Sequence, residues 1–74
     1  MTTGKQKFDD IRAQHPFDIM DLAAKALVHP DVVYRMLLDE PVPREYATMV
    51  LAVLSQETGN VYTLDNVDVR LTTF

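Results

Sequence analysis

The chain has 74 residues, 47% of them hydrophobic, with seven Lys and Arg against eleven Asp and Glu and a formal charge of −4. That length fits one domain over 1–74, and the acidic balance argues against strong non-specific nucleic-acid binding, because phosphate contacts need Lys and Arg. There is no cysteine, which excludes a disulfide framework, a thiolate metal site and a Cys nucleophile and fits a reducing cytoplasm. The longest apolar run, Met49–Leu54, is far shorter than the roughly 20 residues of a membrane span. The N-terminus lacks an apolar signal-peptide core. The expectation is a cytoplasmic protein with no membrane contact.

Residues 1–5 are polar and expected to fray. Phe8 and Ile11, at i and i+3, predict a first helix over about Gln6–Gln14. His15-Pro16 stops it, since the residue before proline is pushed out of the α region. Phe17 reads as a buried anchor. Asp18 is a good N-cap for a second helix over Ile19–Leu27, where Asp21 complements the positive end of the helix dipole. A third helix is predicted from Pro30 to Leu38, with Val33, Met36 and Leu37 inward at i, i+3, i+4. Pro30 suits its first position, and His29 stands at the N-cap, where Ser is usual. Asp39–Pro43 is a loop containing two prolines. A fourth helix over about Pro43–Gln56 buries Tyr46, Ala47, Val50, Leu51 and Leu54 as one stripe. Gly59 can end it in the left-handed conformation. Residues 61–74 fit two patterns. Thr63 can cap a short helix at 64–67, followed by an extended tail over 68–74. Alternatively Val61 and Thr63, then Val67, Val69 and Leu71, alternate as strands do. The short helix is favoured, which gives an all-α fold of four or five helices with an extended C-terminal tail.

The second and third helices are separated by too few residues to avoid each other, so they must pack and cross. This is a helix-turn-helix unit, whose second helix can enter the major groove of DNA. Ala23 lies where only a small side chain permits that crossing.

The residues Leu22-Ala23, then Val28, then Val33-Tyr34-Arg35-Met36-Leu37, then Glu40-Pro41 resemble the phage-repressor-like helix-turn-helix family, the lambda repressor and Cro type. The register holds without a gap from Leu22 to Leu37, and with flanking helices the resemblance covers roughly Asp18 to Val69. It departs from the family pattern at two places. Leu27 replaces the corner glycine, which implies a wider corner or a longer second helix, because a left-handed Leu costs about 1–2 kcal/mol. Leu38-Asp39 replaces the Asn-Gly that follows the recognition helix, and Leu38 is free to point outward into a partner.

The resemblance implies sequence-specific binding of double-stranded DNA by a transcriptional regulator, with residues 30–38 in the major groove. Pro30 and Asp31 fall on the variable base-contacting positions, and Arg35 falls where an Arg reaches guanine or phosphate. His29, Val32 and Tyr34 complete the exposed candidates. Asp31 can accept from cytosine N4, although it also simply complements its helix N-terminus, and Val32 can touch a thymine methyl. Lys25 and Arg44 are candidate phosphate clamps, helped by free N–H groups at the start of the second helix. If Lys25, Arg35, Arg44 and one N-terminal Lys all met phosphate, the salt slope would be about −3 to −4 per monomer. So small a footprint implies a homodimer on two half-sites.

Catalysis finds little support. Ser55 is the only serine, and His15 and His29 are 14 residues apart with no adjacent zinc-ligand pattern. Gly4 and Gly59 are the only glycines, too few for a phosphate loop. No enzyme activity, metal or cofactor is expected. The competing expectation is an acidic helix-turn-helix-fold protein-interaction module without strong DNA binding, an antitoxin or a regulator's partner, in which Val69–Phe74 adds a strand to the sheet of a toxin or another regulator.

Overall fold

A computed structural model describes residues 5–72. The elements run β1 (Gln6–Lys7), α1 (Phe8–Gln14), α2 (Ile19–Ala26), α3 (Pro30–Leu37), α4 (Arg44–Thr58) and β2 (Val67–Asp68). The fold is mostly helical, with a two-stranded parallel sheet that the all-α expectation did not contain. Most of the frayed segment, residues 1–4, and the tail's last two residues lie outside the described range.

Side-chain chemistry sets the helix starts. Asp18 Oδ1 accepts the Met20 N–H at 2.9 Å and the Asp21 N–H at 3.4 Å, satisfying amides that a helix start leaves free. His29 Nδ1 does the same for the Asp31 N–H at 3.0 Å, so His29 caps α3 as expected. Pro43 precedes α4 as its N-cap and is not its first helical residue. Gly59 ends α4 at φ 78°, in the left-handed region.

The ends of α2 and α3 share one device. Leu27 lies at φ 60°, and the Val28 N–H reaches back to Ala23 O at 3.0 Å while the Leu27 N–H reaches Ala24 O at 3.2 Å. Asp39 lies at φ 61°, with Glu40 N–H to Arg35 O at 2.8 Å and Asp39 N–H to Met36 O at 3.3 Å. Both are Schellman closures with a non-glycine residue in the left-handed position. The wider corner expected at Leu27 is therefore corrected. α2 stops at Ala26, and Leu27 accepts the strained conformation to keep the corner tight. Leu27→Gly should relieve about 1–2 kcal/mol of that strain and lose part of it to a freer unfolded chain. A net gain of about 0.5–1 kcal/mol, or roughly 3–6 °C in Tm, is expected in a thermal melt. Leu27 is 82% exposed, so little packing is lost.

The core collects Phe8 and Ile11 from α1, Leu22, Ala23 and Ala26 from α2, Val33 and Met36 from α3, and Ala47, Val50, Leu51 and Leu54 from α4. Tyr46, predicted in the α4 stripe, is exposed. The α2 helix packs on both α3 and α4. Three residues from outside the helices close this core: Val42, Tyr62 and Val67. Ser55 holds Tyr62 in place, accepting the Tyr62 N–H at 2.8 Å and donating to Leu51 O at 2.8 Å.

The short helix predicted at 64–67 is instead a turn. Thr63 Oγ1 accepts the Asp65 N–H at 3.2 Å, and Asn66 Oδ1 accepts the Thr63 N–H at 2.8 Å. After one turn the chain extends, because Val67 is buried and β2 pairs with β1, Gln6 opposite Val67 and Lys7 opposite Asp68. The first helix accordingly starts at Phe8, not Gln6. Farther along, the Val42 N–H donates to Arg70 O and the Thr72 N–H donates to Val42 O, both at 3.0 Å. The tail is thus extended as expected, and it is tied to its own chain along one edge.

Candidate nucleic-acid interface

The face of α3 turned away from the core is the surface the sequence singled out. His29, Asp31, Tyr34 and Arg35 are exposed on it, together with Leu38 just past the helix end. Pro30 and Val32 are only half-exposed, and Val32 packs against the core. The expectation of Val32 as a free base-contacting side chain is corrected accordingly. At helical spacing, Val32 and Val33 straddle the edge of the stripe that also holds Met36, so both are drawn inward.

The cations divide into paired and unpaired groups. Lys25 Nζ lies 3.1 Å from both Glu57 Oε1 and Asp21 Oδ2. Glu57 and then Asp21 raise its pKa above the ordinary lysine value. The expected phosphate clamp at Lys25 is therefore already occupied by two carboxylates. The Asp21–Lys25 half of this arrangement is an i,i+4 pair visible in the sequence. The Glu57 half needs α2 to lie against α4. Lys7 pairs with Asp68 at 3.2 Å, which raises the Lys7 pKa, and Arg70 pairs with Asp39 at 3.4 Å. Arg12 lies 5.5 Å from the Phe17 ring centre, so Phe17 is a half-buried platform and not a fully buried anchor.

Arg35 and Arg44 are exposed and make no ion pair among the described residues. Arg35 is the only cation on α3, and Asp31 faces solvent one turn before it. The amides at the start of α2, expected to help seat a phosphate, are bound by the Asp18 carboxylate. A phosphate there would have to displace a like charge.

Among the described residues no group of His, Asp and Glu is placed to hold a metal ion, and no helix is long and apolar enough to cross a membrane. His15 Nε2 and Asn60 Nδ2 lie 3.3 Å apart, tying the α1–α2 connection to the end of α4. No family model, curated protein or solved structure matches this chain.

Proposed function

We propose that this chain is a phage-repressor-like helix-turn-helix regulator that binds duplex DNA through α3, acts as a homodimer and works in the cytoplasm. One observation carries the reading. Two eight-residue helices are joined by a tight left-handed corner, and the second presents an outward face with an Arg35 that makes no ion pair among the described residues. The ungapped register from Leu22 to Leu37 supports it, as do inward Leu22, Ala23, Val33 and Met36. His29, Asp31, Tyr34 and Arg35 are the base-edge and groove candidates, Arg44 is a phosphate contact, and Lys25 takes a positioning role through its ion pairs.

With Lys25 committed elsewhere, Arg35, Arg44 and one N-terminal Lys imply a salt slope of about −3 per monomer. Fluorescence anisotropy on selected genomic fragments at low salt tests this. Arg35→Ala should weaken binding about tenfold and lower the slope by about 1. Binding that ignores Arg35→Ala would sink the groove-docking geometry.

A second reading has its own support. Leu27, Tyr34 and Leu38 are large, exposed side chains on or beside the same face, with Asp31, Asp39 and Glu40 around them. That mixture suits an acidic protein-interaction module better than a phosphate backbone. Leu38→Asn separates the two readings, because it removes the apolar contact without adding charge: it should abolish capture of a protein partner and leave DNA affinity within about twofold.

A further inference from the structure

From Asp68 on, the tail pairs within the chain through one edge only among the described residues, while on the other edge the Val67 N–H is bonded to Thr63 O at 3.0 Å. The backbone groups bonded to β1 and to Val42 belong to Asn66, Arg70 and Thr72, all even-numbered. In an extended strand, alternate residues direct their N–H and C=O groups to the same side. The groups of Val69 and Leu71 therefore face the opposite side, where they have no partner among the described residues. Side-chain exposure alternates in step. Val67, Val69 and Leu71 turn toward the core, while Asp68 and Arg70 turn to solvent. An open strand edge of this kind invites another strand.

We infer that the occupant is a second copy of this chain, paired antiparallel about a twofold axis at Val69. In this register Val69 faces Val69 of the second copy, and the two exchange N–H and C=O bonds. Each Leu71 N–H meets the Val67 C=O of the other copy, a single bond, because the Val67 N–H keeps its own bond to Thr63 O. Asp68 stands directly opposite Arg70, twice, at the close spacing of a non-hydrogen-bonded pair. Asp68 already holds Lys7, and Arg70 already holds Asp39. The pairing therefore aligns Lys7, Asp68, Arg70 and Asp39 as a row of alternating charge across the two copies. The register shifted to centre on Arg70 would oppose Arg70 to itself, which is unfavourable. The edge is thus self-complementary in one register, as a twofold interface must be. This inference stands apart from the DNA reading, since it needs no nucleic acid.

A strand pair of this length buries less than the roughly 1,200 Å² of a stable interface, so the dimer depends on concentration. Sedimentation equilibrium of the full chain, from about 10 μM to about 1 mM, reads it directly. The wild type should shift from monomer to dimer over that range. Val69→Pro removes a central N–H that makes no bond among the described residues, and it should weaken dimerisation at least tenfold with unchanged helical circular dichroism. Asp68→Lys alone and Arg70→Asp alone should each be monomeric, because each sets like charges opposite one another. An equimolar mixture of those two variants should dimerise, because every opposed pair is then opposite in sign. A wild type that stays monomeric throughout, a dimer indifferent to Val69→Pro, or a mixture that fails to associate would each overturn the inference.

Discussion

Phe8→Ala is expected to cost about 3–5 kcal/mol in denaturant unfolding, enough to leave much of the chain unfolded at room temperature. A domain of this size holds only about 4–11 kcal/mol in total. Phe8 opens α1 and is 1% exposed, with its ring centre 5.6 Å from that of Phe17 at an interplanar angle of 52°. It also follows directly on β1, whose pairing with β2 joins the two ends of the chain. Truncation therefore empties a core site and loosens the anchor that holds β1 against Val67. The control is Lys7→Ala. It removes only an exposed ion pair from the same strand and should change stability by less than about 1 kcal/mol. If Phe8→Ala matches that control, α1 is an appendage and not part of the core.

The helices were readable because each carries a local signal that survives into the fold. The α2 helix is announced by Asp18 at its cap, and α3 by His29-Pro30 and the spacing of Val33 and Met36. What escaped the sequence is tertiary. Two residues of β1 have no period of their own and become a strand only where β2 passes. Thr63 and Asn66 carry hydrogen-bonding chemistry that opens a helix and a single turn equally well, and burial of Val67 decides between them. Val42, between two exposed prolines, looks like loop and is 1% exposed, because Arg70 and Thr72 bond its backbone. The same limit applies to the proposed interface. Arg35 and Tyr34 are outward as their spacing implies. Glu57 reaches Lys25 from 32 residues away, and nothing local foretells it.

Ala23→Leu is expected to lower stability by about 1–3 kcal/mol and to disturb α3 more than any other element. Ala23 is fully buried in α2, the helix that packs against both α3 and α4. Its carbonyl also accepts the Val28 N–H that closes the corner. A larger side chain must push α3 outward, force an off-rotamer conformation, or open that corner bond. Hydrogen exchange separates these outcomes from uniform weakening. Protection should fall first at Leu27, Val28 and the α3 amides, while the middle of α4 stays protected. If α3 is the DNA-reading helix, the variant should lose affinity at a temperature where it is still folded, although Arg35 is untouched. Equal loss of protection across α2, α3 and α4 would show instead that the corner does not set the placement of α3. In that case affinity would track global stability alone.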